Sequence, residues 1–173
     1  MRHVRGISTL ELLIVLVVLG LIAVLAVPRL SRASQPSPDT SDLRDALKVL
    51  RVAVERYYQD HNVYPGVLRS APDMQPSEAL AIAQLTLYTD AAGETSPVPT
   101  PRHTLGPYLR HGVPPCPVPP NDGSTRLYLI RSPQPGSPPP APGDAGWIYD
   151  ARTGHVAVNS DRSDLRGRPY TTY

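Results

Sequence analysis

A single carboxylate, Glu11, precedes the apolar run of residues 12–27, which contains no charged or strongly polar side chain. A carboxylate near the centre of a lipid bilayer costs roughly 2.5–3.5 kcal/mol on insertion scales. A helix that merely anchors a chain gains nothing from that cost. In a packed bundle of helices, the low dielectric strengthens an ion pair and makes an unpaired charge expensive. Glu11 therefore predicts pairing with a cation of a neighbouring helix, and hence assembly.

Other residues that could carry chemistry are few and scattered. Cys116 is the only cysteine, so it has no partner for an internal disulfide, and no Cys/His spacing around it is typical of a metal site. No Ser/His/Asp arrangement, phosphate-binding loop or acidic pair favours catalysis. Four histidines are scattered along the chain, with no nucleophile or metal-ligand spacing around them: His61, His103, His111 and His155. We therefore expect no enzyme activity, no catalytic residue and no cofactor.

Asp161 and Asp164 form the only close carboxylate pair in the C-terminal tail. Calcium takes about six to eight oxygen ligands, which two carboxylates alone do not supply. We interpret both side chains as solvated and predict no metal site. A calcium site near Asp161 and Asp164 is the alternative.

The charge of the chain is concentrated at its start. The 173 residues carry a formal net charge of +2, and Arg2 and Arg5 account for it, because the remaining basic and acidic residues are equal in number. A neutral body lacks the basic field with which proteins attract nucleic acid. We therefore expect no nucleic-acid partner.

Residues 7–27 are long enough to cross a bilayer if Glu11 is accommodated near one end. About 20 helical residues span the roughly 30 Å hydrocarbon layer. Arg2 and Arg5 flank the start of the segment, which predicts a cytoplasmic N-terminus. Everything after Pro28 then lies on the far side of the membrane.

An amphipathic helix follows Pro36 and Pro38, which we expect to interrupt any helix that precedes it. Thr40 or Ser41 suits its N-cap. Apolar residues recur at three- and four-residue steps and predict about 18 helical residues, ending between Asp60 and Asn62. The predicted buried stripe consists of Leu43, Leu47, Leu50, Val54 and Tyr57.

The remaining elements are short. A helix is predicted at Ser77–Leu87 with Ser77 as its cap, and residues 89–104 have the composition of a loop. Alternating apolar residues predict strands at Arg126–Arg131, Gly146–Asp150 and His155–Asn159. The last two strands flank Ala151–Gly154, a hairpin turn with Gly154 in the left-handed conformation. The proline-rich segment 132–146 predicts a mobile loop.

The segment Arg5-Gly6-Ile7-Ser8-Thr9-Leu10-Glu11, with its apolar run and Pro28, resembles the N-terminus of type IV pilins and type II secretion pseudopilins. The resemblance implies that a prepilin peptidase cuts between Gly6 and Ile7, that Ile7 is then methylated, and that Glu11 and Pro28 serve assembly. Ile7 stands where this family usually has phenylalanine. Cleavage would create an α-amino group at Ile7, with an ordinary pKa of about 8, able to neutralise Glu11 of a neighbouring subunit.

Other parts of the chain are similar to major pseudopilins and to a subgroup of pseudopilin-like proteins. The similar segments are Leu50–Pro65, Leu85–Thr95, Gly106–Leu109 with Pro114-Pro115, and Gly146–Asp150 with Thr153-Gly154 and Asn159. We expect the aromatic residues Trp147, Tyr149 and Tyr108 to lie in the core.

Together these observations predict an α+β, pilin-like fold. Its long N-terminal helix would have a membrane-spanning half and an amphipathic half, packed on a small antiparallel sheet. The predicted domains are a leader peptide at 1–6, a transmembrane and assembly helix at 7–28, and a periplasmic pseudopilin-like domain at 29–173. The protein would be anchored once in the inner membrane.

The expected function is that of a structural subunit of a type II secretion pseudopilus. Its expected partners are the prepilin peptidase, further copies and other pseudopilins, the inner-membrane assembly platform and the membrane. The alternatives are a type IV pilus subunit for adhesion, motility or DNA uptake, and a membrane-anchored binding module with a pilin-type signal. The N-terminal segment has two plainer alternatives, a secretory signal cut after Ala26 and a simple single-pass anchor.

Overall fold

The computed structural model describes Leu13, Val15 and residues 38–130 and 143–173. Contacts divide the chain into two units, Met1–Pro36 and Ser37–Tyr173, and the elements below belong to the second. Helix α1 spans Pro38–His61. Proline suits a first helical turn because the N–H that it lacks has no partner there. Asn62, with a φ of 60°, adopts the left-handed conformation that ends many helices.

The buried face of α1 is the stripe predicted from the periodicity. Leu43, Leu47, Leu50, Val54 and Tyr57 are each at most 3% exposed. Burial of an aliphatic side chain contributes about 1.5–3 kcal/mol before conformational entropy is subtracted. This stripe is therefore what attaches α1 to the rest of the domain.

Helix α2 spans Glu78–Thr86. Ser77 is its N-cap, and the Ser77 hydroxyl accepts a bond from the backbone N–H of Leu80 at 3.5 Å. The cap satisfies one of the N–H groups that a helix leaves without an internal partner. The prediction of this helix and of its cap is confirmed.

Two small sheets complete the domain. Strands β1 (Tyr88–Thr89) and β2 (Thr95–Ser96) pair antiparallel. Strands β3 (Leu127–Leu129), β4 (Trp147–Tyr149) and β5 (Val156–Val158) form the second sheet, with β4 in the centre. All residues of β4 and β5 are buried, and α1 packs on β5. A short 3-10 helix, Tyr170–Thr172, follows the sheet.

The predicted fold class is wrong in its helix. The long helix of the described residues begins at Pro38, and its solvent face is lined with charged side chains such as Asp45, Lys48 and Glu55. Among the residues that the structure describes, none of the helices combines the length and the apolar character needed to cross a bilayer. Within the described residues, therefore, α1 is an amphipathic helix without a membrane-spanning half.

The predicted fold class is also wrong in its sheet, which is mixed. Leu127 lies opposite Trp147 in a parallel pair, whereas Trp147 lies opposite Val158 in an antiparallel pair. Alternation of apolar residues identifies a strand but not its direction. Parallel neighbours need a crossover of a dozen or more residues, and residues 130–146 provide a connection of that length.

The two predicted loops, at 89–104 and 132–146, can be compared with the structure in part. The predicted loop at 89–104 contains β2 and the second residue of β1, so a small hairpin was missed. The predicted loop at 132–146 lies outside the described residues as far as Pro142. In its remainder, Gly146 leads directly into β4, and a Cβ there would lie 2.6 Å from the carbonyl oxygen of Ser124.

Candidate functional site

The sequence-predicted site residues Gly6, Ile7, Glu11 and Pro28 all lie outside the described residues. The structure thus neither brings them together nor separates them. The site features that it does describe belong to residues 38–173. Among them are a buried polar network, an open groove beside α1, and an ordered loop near the C-terminal end.

The buried polar network closes the C-terminal end of α1. His61 is fully buried, and its Nε2 lies 3.0 Å from Thr89 Oγ1 and 3.2 Å from the Tyr108 hydroxyl. The Tyr108 hydroxyl donates to Asp60 Oδ2 at 2.8 Å. The ring of Tyr57 stacks on His61 with 4.0 Å between centroids. These contacts join the end of α1 to β1 and to the turn that carries Tyr108.

The electrostatics of this network favour neutral side chains. Burial lowers the pKa of His61, while the charge of Asp60 and the carbonyl of Ala91 oppose that shift. Burial also raises the pKa of the Tyr57 and Tyr108 hydroxyls, and nearby carboxylates add to it. Within the described residues, the Tyr57 hydroxyl and His61 Nδ1 are buried and form no hydrogen bond, so burial and ring stacking contribute to this network beside its hydrogen bonds.

Sequence reasoning missed the role of His61 because it treated the histidines as isolated. The signal available was its position four residues after Tyr57, which places both rings on the buried face of α1. Of the aromatic residues expected in the core, Trp147 and Tyr149 are fully buried and Tyr108 is partly buried. Cys116 is a buried free thiol, and burial raises its pKa, so it is a packing residue.

An open groove of about 510 Å³ runs between α1 and the turn that joins β4 to β5. Tyr64 forms one wall and stacks on Tyr58 with 4.4 Å between ring centroids. Gly154 forms part of the rim with a φ of 71°, and a Cβ at Gly154 would overlap the Tyr64 ring. The other lining residues are Arg51, Val52, Val54, Glu55, Arg56, Gln59 and Thr153.

The α1 face beside the groove combines apolar and charged side chains. Val49 is 50% exposed and Val52 is 41% exposed. Lys48, Glu55 and Arg56 are exposed around them. These two valines, with charges of both signs around them, form the outer surface of α1 beside the groove.

The loop of residues 161–168 is ordered around Asp164. One Asp164 oxygen accepts bonds from the backbone N–H groups of Arg166 and Arg168 at 2.8 and 2.9 Å. The other accepts from the Tyr173 hydroxyl at 2.6 Å. Asp164 is only 8% exposed, so its interpretation as a solvated carboxylate is wrong, whereas Asp161 is exposed. Within the described ranges, no group of three His, Cys, Asp or Glu side chains is placed to hold a metal ion.

We expect Asp164→Ala to open this loop, because it removes the acceptor of three hydrogen bonds. The Tyr173 hydroxyl and the backbone of Arg168 hold the pKa of Asp164 below its ordinary value. A lowered folded-state pKa means that this stabilisation is complete above about pH 4 and is lost as the pH falls further. Amide hydrogen exchange of residues 164–168 at neutral and acidic pH measures both effects. Asp161→Ala is the matched control, and equal exchange in the two variants would contradict this role of Asp164.

Comparison with protein-family models, with curated proteins and with solved structures gives no match for this chain.

Proposed function

We propose that this protein is a structural subunit of a type II secretion pseudopilus, which a prepilin peptidase processes and which polymerises through its N-terminal segment. The observation that carries the proposal is the placement of Glu11, four residues beyond Ile7 and directly before the apolar run. A membrane anchor alone gives no reason for a carboxylate at that position. Assembly gives one, because the new α-amino group of Ile7 on one subunit neutralises Glu11 on another.

The proposed topology follows from the same segment. Residues 1–6 are the leader, residues 7–28 anchor the chain in the inner membrane, and the domain after them faces the periplasm. The positive charges of Arg2 and Arg5 favour a cytoplasmic N-terminus. The subunit then meets the prepilin peptidase, the assembly platform and other pseudopilins at the membrane.

The described domain is compatible with a role in packing. Its buried His61 network serves stability, and its exposed valines and charges on α1 form a surface for contact with a neighbouring subunit. We propose no catalytic activity and no cofactor. Type IV pilus subunits have the same kind of N-terminal motif. The neutral body of this chain favours the pseudopilus.

Processing provides the first test of this proposal. Gly6→Val should block cleavage, because a branched side chain occupies space in the peptidase where glycine fits. Intact-mass spectrometry should find the wild-type chain beginning at a methylated Ile7 and the variant retaining residues 1–6.

Ser8→Ala is the control for this test, because it changes a neighbouring side chain and leaves the cleaved bond in place. A mature terminus at Val27 would reject the proposal and identify an ordinary secretory signal.

A further inference from the structure

Leu165 is the most exposed of the large apolar side chains in the described residues, with 90% of its surface accessible. It lies at the tip of the loop that Asp164 orders. The loop backbone closes on itself, since the N–H of Asp164 donates to Arg168 O and the N–H of Gly167 donates to Asp164 O, each at 2.9 Å. Hydrogen bonds within the loop therefore order its backbone, and Leu165 projects from it into solvent.

Arginines surround this leucine. Arg162, Arg166 and Arg168 are all exposed and belong to the same loop. The loop carries two carboxylates, but Asp164 points inward to its hydrogen-bond donors, which leaves Asp161 as the exposed one. The outward surface of the loop is therefore basic around an apolar tip.

Arg44 of α1 lies close to this loop, and the exposed carboxylates Asp42 and Asp45 flank it in the helix sequence. Arg44 lies over the ring of Tyr173 at 5.0 Å, and Arg168 lies over the same ring at 5.7 Å. Cation–π contacts orient the two guanidinium groups and leave their outer donors available. In the part of the chain that the structure describes, the ion pairs join arginines to Asp90, Glu78 and Asp144, and none includes Arg44, Arg162 or Arg168.

We propose that this loop docks on the anionic headgroups of the membrane that anchors the chain, with Leu165 inserted at the interface. Arginine donors match lipid phosphates, and an apolar side chain beside them gains by entering the interfacial layer. Each arginine near an anionic surface changes its affinity about fivefold. This inference rests on the membrane location in the proposed function, and it assigns the loop a lipid partner that the N-terminal segment alone does not imply.

A lipid surface and a protein partner would bind this loop through different features. A protein partner would have to cover an isolated leucine with a complementary apolar pocket. A lipid surface needs only negative charge and a shallow apolar layer. The single protruding side chain with flanking arginines favours lipid.

The test uses the full-length chain with Leu165→Cys, labelled with an environment-sensitive fluorophore. Cys116 is 1% exposed, so the unsubstituted chain reports the background labelling. Val98→Cys is the matched control, because Val98 is 58% exposed on another loop and the nearby Arg102 is paired with Asp90. The labelled chains are mixed with vesicles of phosphatidylcholine, with or without phosphatidylglycerol. Carbonate extraction separately scores whether the chain is anchored.

The proposal predicts a blue-shifted Leu165 probe, quenched by spin-labelled lipid, with phosphatidylglycerol present and not with phosphatidylcholine alone. The response should fall at about 1 M salt, where the Debye length is near 3 Å. Replacing Arg162 and Arg168 by Gln should weaken it about 25-fold in lipid titration. The Val98 probe should not respond.

An anchored chain whose Leu165 probe stays in water would overturn the lipid inference and leave the proposed anchor standing. A chain released by carbonate whose probe still responds to phosphatidylglycerol would support the loop and reject the anchor. A probe shielded only within assembled filaments, whatever the lipid, would overturn the inference in favour of a subunit contact.

Discussion

Replacing Glu11 by Val is expected to abolish filament assembly while leaving membrane insertion intact. The substitution removes the desolvation cost of a carboxylate, so the chain should enter the membrane at least as well as the wild type. It also removes the partner of the neighbouring subunit's Ile7 ammonium, which must then be buried unpaired or left outside the bundle. Breaking a buried ion pair by removing one partner typically costs about 3–5 kcal/mol. Repeated at every subunit, such a cost prevents a stable filament.

The measurement combines membrane fractionation with a filament-shearing and secretion assay for Glu11→Val. The expected result is normal membrane-bound and cleaved protein with lost filaments. Glu94→Val is the matched control, because it removes an exposed carboxylate in the turn between β1 and β2 and should assemble normally. Wild-type filament levels with Glu11→Val would contradict the pairing role. Failure to insert would assign Glu11 to targeting instead.

Leu47→Ala is expected to lower the free energy of unfolding by about 2–5 kcal/mol. Leu47 is 1% exposed at the centre of the α1 stripe, and its truncation leaves a cavity between α1 and the sheet. Because a domain of this size is stabilised by only about 5–15 kcal/mol, that loss is a large fraction of the total. Urea denaturation of the full-length chain in detergent measures it through the fluorescence of Trp147, which is the only tryptophan and is fully buried.

Val49→Ala provides the comparison for Leu47→Ala on the same helix. Val49 is 50% exposed, and surface substitutions of this kind usually change stability by less than about 0.5 kcal/mol. The urea midpoint should therefore fall with Leu47→Ala and stay near the wild-type value with Val49→Ala. Equal shifts for the two variants would show that the α1 stripe does not hold the domain together.

The sequence predicted the elements whose signals are local. The spacing of Leu43, Leu47, Leu50 and Val54 identified the face of α1 that is buried. Ser77 identified the start of α2, and Gly154 identified the turn between β4 and β5. Each of these signals depends on a few neighbouring residues, so no knowledge of distant contacts was needed.

The sequence did not predict what depends on long-range pairing. The parallel direction of β3 relative to β4 appears only in their pairing, with Leu127 opposite Trp147, which a period of two does not encode. The burial of Asp164 depends on the Tyr173 hydroxyl, and that of His61 depends on Thr89 and Tyr108. These partners meet only in the folded chain.

The structure does not test the candidate assembly residues. Gly6, Ile7, Glu11 and Pro28 were identified from a short motif and from the cost of a carboxylate in an apolar segment. They lie outside the described residues, so their roles stay predictions. The Leu165 loop could not have been found from sequence, because the exposure of a leucine depends on the inward turn of Asp164 beside it.

We propose that this chain is a structural subunit of a filament, and its presence and N-terminal mass in sheared filaments are the measurement that decides this. We expect the protein to be present in the filaments, with every copy beginning at methylated Ile7. A chain that never leaves the membrane fraction, or that begins at Met1 or Val27, would contradict it.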